Sequence, residues 1–304
     1  MLSVARAGAE RPWYHTAHSG KPYVNPDLTP ARVIGKTVDP AWNGQLVLWQ
    51  GRIRNIVREG HRTSFDLDVG GALVPVVYRY KAVNLERDRT GYRVAVKGAL
   101  QAVDGTFSGI DGRSIILLQP PAEIDYANYL KRNPAQQPSV ESFLGWWISF
   151  HNPQYPPATR EAVAAAIVRH ARENAVDPLF LASLIQIESA FRVDIVSPSG
   201  AIGLGQLMPF TARGFGVDPW NPQENVKAAA RYIANLLRMW RDDARRDPRA
   251  LALASYNAGP GSVRGSRGIP PYPQTTNYVY FIGLVHENMT SAAARAGVVS
   301  PASP

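Results

Sequence analysis

The pattern of apolar positions changes from a two-residue period to a helical period near residue 120. Between Thr63 and Val69, apolar and polar side chains alternate as they do in a strand with one buried face. Gly70-Gly71 then supplies residues suited to a tight hairpin. Similar patterns predict strands at 46–53, 74–80, 92–97 and 114–118. Five short strands without a long helix between them predict a small antiparallel β-barrel of the OB type, although an SH3-like barrel or a small sandwich would have a similar pattern.

The second half of the chain has the periodicity and the capping residues of α-helices. Asp177-Pro178 is typical of an N-cap followed by a first helical residue. Almost every residue from Leu179 to Ile187 is apolar, so this helix is predicted to be buried on all sides. The proline-rich stretch 133–139 cannot continue a helix and separates the two halves.

These patterns predict an α+β protein with two domains. The predicted divisions are an extended, proline-rich arm (1–40), a β-barrel domain (41–120), a linker (121–139), a helical domain (140–296) and a flexible tail (297–304). Ala7-Gly8-Ala9 is similar to the end of a signal peptide, so the arm is interpreted either as the remnant of one or as an ordinary disordered terminus. No stretch has the length and apolarity of a transmembrane helix.

Glu188 is the first candidate for chemistry because it is the only carboxylate in the apolar helix after Asp177. Burial disfavours the ionised form of a carboxyl group, and so does the negative end of the helix dipole. Both effects raise the pKa, and a glutamate that stays protonated near neutral pH can act as a general acid. A glutamate at a helix end is more often solvated, so the following residues decide between the two interpretations.

Four ordered motifs give this part of the chain a specific resemblance. They are Glu188-Ser189, the run Ser199-Gly200-Ala201-Ile202-Gly203-Leu204-Gly205-Gln206-Leu207-Met208-Pro209, the run Ser255-Tyr256-Asn257-Ala258-Gly259, and Thr276-Asn277-Tyr278-Val279. In this order and spacing they resemble the catalytic domain of soluble lytic transglycosylases, relatives of goose-type lysozyme, over roughly residues 140–290. The resemblance implies an all-α lysozyme-like domain after the OB-like barrel.

The resemblance also implies a reaction with one carboxylate. Glu188 would protonate the oxygen between N-acetylmuramic acid and N-acetylglucosamine in peptidoglycan, and would then take the proton of the C6 hydroxyl as a 1,6-anhydro ring closes. Asp194 and Asp218 are the nearest candidates for a second carboxylate, but their loop contexts favour turn formation. The alternatives left open are a lysozyme-like hydrolase, and a wall-binding or nucleic-acid-binding protein with an inactive catalytic domain.

Further site residues follow from the same resemblance. Ser189, Gln206, Met208, Tyr256, Asn257 and Tyr278 match family positions that bind the sugar or lie close to the glutamate. Two positions depart from the family pattern. Gly205 stands where methionine is usual, which predicts a wider subsite, and Thr276 stands where arginine is common.

Composition and charge limit the partners without choosing one. The chain has no cysteine, which excludes disulfides and thiolate chemistry, and its formal net charge of +9 favours polyanionic partners. The closest histidines, His15 and His18, lie in the proline-rich arm, so neither a metal nor a cofactor is predicted. The expected partners are peptidoglycan glycan strands in the periplasm or cell envelope, with an envelope protein as a candidate partner of the barrel. Arginines near Trp49 and Phe65 raise a nucleic-acid hypothesis, which is disfavoured because Phe65 falls on the predicted buried face.

Overall fold

The computed structural model describes residue 25 and residues 27–78, 89–121, 125–243 and 246–299. Within these residues the chain divides into two compact units, one ending at Asp125 and one beginning at Tyr126. The first is a β-barrel and the second is helical. The α+β fold class predicted from the two hydrophobic periods is therefore confirmed.

The first unit is a closed barrel with the strand order β1-β2-β3-β5-β4. Its strands are β1 (Leu46–Glu59), β2 (Arg62–Val69), β3 (Ala72–Tyr78), β4 (Arg93–Val103) and β5 (Thr106–Gln119). Four of the strand pairs are antiparallel, and the pairing of β3 with β5 at Val76–Tyr78 is parallel. This parallel pairing was not predicted, and assignment to the OB type remains a prediction. Tyr80, at the end of the third predicted strand, lies outside the described residues.

The sequence pattern predicted an extended arm before the barrel, but the described residues there form short helical turns. Pro30–Val33 form one helical turn, α1, and Pro40–Trp42 form a 3₁₀ turn. Leu28, Val33 and Val38 are buried, and the indole N–H of Trp49 donates a hydrogen bond to the carbonyl oxygen of Leu28 at 2.8 Å. Proline is favourable at a first helical position, and apolar burial explains why this part of the arm packs. The signal-like residues and the His15–His18 pair lie outside the described residues.

The helical unit begins inside the predicted linker with α2 (Tyr126–Arg132). The Tyr126 hydroxyl lies 2.5 Å from that of Ser142, and its ring meets the Phe143 ring edge-on. The other helices are α3 (Val140–His151), α4 (Pro157–Glu173), α5 (Pro178–Ser189), α6 (Pro209–Phe215), α7 (Pro222–Trp240), α8 (Pro248–Ala258), α9 (Pro260–Gly265) and α10 (Pro273–Arg295). The apolar helix α5 packs against α4 and α10. In the described part of the chain, no helix is long and apolar enough to cross a membrane.

Candidate active site

Glu188 lies one residue before the end of α5. The Asp177 side chain caps the start of this helix by accepting a hydrogen bond from the backbone N–H of Leu179 at 2.9 Å. Every residue from Leu179 to Gln186 is buried, as the apolar sequence predicts. The helix therefore carries its single carboxylate to the edge of an apolar core.

The chain leaves α5 in a strained conformation. Ala190 and Phe191 have φ angles of 50° and 60°, in a region that residues with a side chain seldom adopt. Phe191 is fully buried, and its ring centroid lies 5.4 Å from that of His151. The Asn152 side chain donates a hydrogen bond to the carbonyl oxygen of Ala190 at 2.6 Å. These contacts hold the turn that follows Glu188.

The environment of Glu188 favours its protonated form at moderate pH. Burial raises the pKa of this carboxyl group to about 7, while a hydrogen bond from the Tyr278 hydroxyl acts in the opposite direction. That bond joins Tyr278 Oη to Glu188 Oε1 at 2.6 Å. Burial first, and the charge of Glu188 second, raise the pKa of Tyr278 and of Tyr256 well above 10, so both phenols keep their protons at neutral pH. Oε1 thus accepts a hydrogen bond from a hydroxyl group that keeps its proton at neutral pH.

The glycine-rich run forms a compact loop before α6. Ile202 makes β-bridges with both Val196 and Leu207. Gly203 has a φ of 73°, and Gln206 adopts a φ of 47°, which is strained for a residue with a side chain. The Tyr256 hydroxyl closes the loop from α8 by donating to the carbonyl oxygen of Gly205 at 2.7 Å.

Asn225, in the first turn of α7, fixes the position of this loop. Its Oδ1 accepts a hydrogen bond from the backbone N–H of Gly205 at 2.8 Å. Its Nδ2 donates to the carbonyl oxygens of Ile202 and Pro219 at 2.9 and 2.8 Å. Asn225 is fully buried, so these bonds satisfy polar groups that water does not reach. One side chain therefore connects α7 to both sides of the loop.

Gly205 permits the close approach of the loop to α7. A Cβ atom at this position would lie 2.6 Å from the Ala229 Cβ, 3.2 Å from the Tyr256 hydroxyl and 3.3 Å from Asn225 Oδ1. Protein atoms fill the space that a larger side chain would need. The expectation that glycine here widens a subsite is therefore wrong.

The structure places the other predicted site residues in two groups. Tyr278 and Tyr256 converge on Glu188, through the direct hydrogen bond of Tyr278 and through the effect of the Glu188 charge on both phenols. Of the remaining four, Ser189 donates its hydroxyl hydrogen bond to Ile185 O at 3.1 Å. The Gln206 amide donates to Gly203 O and Ile195 O. Asn257 Oδ1 accepts from Thr275, and Met208 lies half-buried at the N-cap of α6. Ser189 and Gln206 thus bond to the backbone of the site.

Sequence reasoning missed Asn225 and Tyr232. The Tyr232 ring packs on the Tyr256 ring with centroids 5.0 Å apart. A signal for Asn225 was present, because asparagine is unfavourable inside a helix unless its side chain has a specific partner. Asp194 and Asp218 are both exposed, and Asp218 accepts a hydrogen bond from the backbone N–H of Trp220 as a turn residue does. No three acidic or histidine side chains of the described residues come together as a metal site would require.

Comparison with known proteins identifies the region that contains these motifs. Residues 165–277 match the family model described as the transglycosylase SLT domain. The chain is 36% identical over 99 residues to membrane-bound lytic murein transglycosylase F 1 of Alkalilimnicola ehrlichii, which covers 32% of this chain and 20% of that protein. It is 27% identical over 164 residues to membrane-bound lytic murein transglycosylase C of Actinobacillus pleuropneumoniae, which covers 46% of this chain and 42% of that protein. The chain therefore spans less than half the length of these relatives.

Solved structures also resemble the chain. One of them is the crystal structure of the 70 kDa soluble lytic transglycosylase of Escherichia coli. The two chains are 20% identical, the match covers 55% of this chain and 32% of that chain, and the TM-score is 0.38. The family match includes Glu188, the glycine-rich loop, Asn225 and Tyr256. The resemblance inferred from the four motifs is confirmed, because residues 165–277 of this chain match the transglycosylase SLT domain model.

Proposed function

We propose that this protein is a lytic transglycosylase that cleaves peptidoglycan glycan strands, with Glu188 as its single acid and base. The observation that carries the proposal is the Glu188 carboxyl group, whose pKa is raised to about 7 by burial and whose Oε1 accepts a hydrogen bond from Tyr278 at 2.6 Å. A carboxyl group with a pKa near neutrality has a substantial population of both forms, as a group that acts first as acid and then as base requires. The SLT family match to the surrounding residues supports the same reaction class.

The proposed reaction begins with proton transfer from Glu188 Oε2 to the glycosidic oxygen. The bond between C1 of N-acetylmuramic acid and that oxygen breaks, and the N-acetyl carbonyl oxygen of the same sugar bonds to C1. The C6 hydroxyl oxygen then attacks C1, the bond from the N-acetyl oxygen breaks, and the hydroxyl proton returns to Glu188. The product is a 1,6-anhydro ring, and the carboxyl group is restored.

An intramolecular nucleophile explains how one carboxylate can suffice. The C6 hydroxyl belongs to the sugar that reacts, so its effective concentration is high and no water has to be positioned. Hydrolysis with a second carboxylate has less support, because Asp194 and Asp218 are both exposed in loops. Met208, Asn257, Tyr256 and Tyr278 are proposed to line the sugar site. Ser189 and Gln206 are proposed to contribute there while they hold the helix end and the loop.

The proposed location is the cell envelope, and more specifically the periplasm. The names of the relatives describe them as membrane-bound murein transglycosylases. Peptidoglycan lies in the same compartment, and a net charge of +9 suits an anionic wall. We also propose an envelope protein as a partner of the barrel.

Digestion of purified sacculi tests the function. The full chain is incubated with sacculi, and the released muropeptides are weighed by mass spectrometry. Anhydro ends, which have one water molecule less than reducing ends, are expected. Glu188→Gln should release none, because the variant keeps the volume and loses the proton chemistry, whereas Glu141→Gln, an exposed position in α3, should act as the native chain does. Reducing ends would identify a hydrolase, and undiminished release by Glu188→Gln would refute the assignment.

A further inference from the structure

The barrel unit contains a cavity that the catalytic proposal does not use. Its volume is about 600 Å³, which is within the usual range for small-molecule sites. Six polar side chains line it, from the β1–β2 hairpin and from β4 and β5: Glu59, His61, Arg62, Gln101, Ser108 and Asp111. Pro75 and Val77 of β3 contribute an apolar part of the lining. The cavity therefore has polar walls and an apolar strip.

Irregular pairing shapes both hairpins beside this cavity. In β1 the register shifts between Arg54 and Val57, where Asn55 has a φ of 47°. In the β4–β5 pair the register shifts between Gln101 and Ala102, so Ser108 is an extra residue on β5. Bulges bend strands, redirect side chains and are frequent next to binding sites. Each of the two hairpins that contribute residues to the cavity thus contains a bulge.

A glycine brings β5 close to β3 at the cavity. Gly109 has a φ of 148°, and a Cβ atom there would lie 2.6 Å from the carbonyl oxygen of Pro75. On β3, Leu73, Pro75 and Val77 occupy alternate positions, and Leu73 is 53% exposed. Residues two apart share a face of a strand, so Leu73 continues the apolar face of β3 from which Pro75 and Val77 line the cavity.

The lining chemistry separates the candidate ligands. Glu59 and Asp111 oppose Arg62 in charge, so the cavity does not select a polyanion by charge. The imidazole of His61 is the one aromatic ring in its described lining, which includes no Phe, Tyr or Trp on which a base could stack, and Trp49 and Phe65 are both buried at 2% exposure. Carboxylate, amide, guanidinium and hydroxyl groups together provide donors and acceptors for a ligand rich in hydroxyl and amide groups. An N-acetylated sugar has such groups on its edges and C–H groups on its faces.

We propose that this cavity of the barrel is a second glycan-binding site, which takes N-acetylated sugars of the same polymer that the helical unit is proposed to cleave. The choice of the wall glycan rests on the proposed function, whereas the sugar class rests on the cavity itself. Two sites on one chain for one polymer strengthen attachment, because the second binding event becomes intramolecular.

Binding by the full chain in its Glu188→Gln form tests this site without cutting the glycan. The measured quantity is the dissociation constant for purified sacculi in a sedimentation assay, with an N-acetylglucosamine hexamer as soluble competitor. Ser108→Trp places a large side chain in the cavity, and Arg62→Ala removes a polar contact. Each should weaken binding about tenfold or more. The matched controls, Ala31→Trp and Lys36→Ala, change exposed residues of the same unit outside the cavity and should bind as the parent does.

The outcomes separate this inference from the catalytic proposal. Unchanged sacculus binding by folded Ser108→Trp and Arg62→Ala would overturn the glycan site, and if Ser108→Trp does not fold, Arg62→Ala decides. Binding of a 20-nucleotide oligothymidine that Ser108→Trp abolishes, without an effect on sacculi, would also overturn it. If the native chain releases no muropeptide but the cavity variants lose sacculus binding, the catalytic proposal fails and the glycan site stands.

Discussion

Glu188→Gln should make the protein more stable at alkaline pH than the native chain. Glutamine has nearly the volume of glutamate, and its amide oxygen can still accept the hydrogen bond that Tyr278 donates to Oε1 at 2.6 Å. The variant therefore keeps the packing of the α5 terminus and removes the ability to ionise. What remains is the free-energy cost of holding a carboxylate in a desolvated position.

The pKa of the buried carboxyl group sets the size of this effect. It is about 7 in the folded chain, against an ordinary value of 4.5 for a glutamate. At about 1.4 kcal/mol for each pH unit, the difference corresponds to about 3 kcal/mol. The folded state binds its proton more tightly than the unfolded state, so the contribution of this group to stability is fully present below pH 4.5 and is lost as the pH rises to about 7. The advantage of Glu188→Gln should thus rise from near zero at pH 4 to about 3 kcal/mol at pH 8.

Denaturant unfolding followed by circular dichroism at 222 nm measures this difference, because the helical unit dominates that signal. The other ionisable groups are common to both chains and cancel in the subtraction. Glu141→Gln removes an exposed carboxylate from the same unit and should change stability by less than about 1 kcal/mol throughout. A Glu188→Gln advantage that stays within about 0.5 kcal/mol from pH 5 to pH 8 would refute the desolvated environment.

Four further substitutions test the contacts of Glu188 and of the glycine-rich loop. Tyr278→Phe should raise the pKa of Glu188 above its value of about 7, because it removes the donor that stabilises the carboxylate. In this background, the stability advantage of Glu188→Gln in the free energy of unfolding should therefore level off at a higher pH. Gly205→Ala should cost about 1–3 kcal/mol of stability through overpacking against Ala229. Ala229→Gly should relieve this loss, with a coupling energy of at least about 1 kcal/mol between the two substitutions. Strict additivity in a double-mutant cycle would contradict the contact. Asn225→Ala should cost about 3 kcal/mol in thermal unfolding because it removes the partner of the Gly205 N–H and of Pro219 O and one of the two partners of Ile202 O. A loss below about 1 kcal/mol would contradict its role.

The barrel was predictable where local pattern determines structure. The predicted strand at 63–69 matches β2, because one face of this strand is buried and its apolar and polar residues alternate accordingly. The parallel pairing of β3 with β5 joins residues far apart in sequence, and no local pattern reports it. The helical turn at Pro30–Val33 was missed for a different reason: the prolines suggested an extended arm, and no local pattern reports that Val33 is buried.

The catalytic candidate was predictable to a similar extent. The position of Glu188 follows from the N-cap at Asp177 and the apolar run after it, since a helix buried on all sides has few places for a carboxylate. The hydrogen bond from Tyr278 came only from the family resemblance, since 90 residues separate the two side chains. Ser189 shows the limit of motif reasoning: adjacency to Glu188 suggested a role with substrate, and the structure bonds its hydroxyl to the preceding turn.

Asn225 explains why the strained backbone of the glycine-rich loop persists. Gln206 in this loop has a positive φ angle, which costs about 1 kcal/mol or more. Such strain lasts only where other contacts outweigh it, and around the loop those contacts are the three hydrogen bonds of Asn225, with the Tyr256 bond to Gly205. The sequence reports the glycines that make the loop feasible, whereas the side chain that fixes it lies on another helix. The loop should therefore loosen when Asn225 is lost, even though every residue of the recognised motif remains.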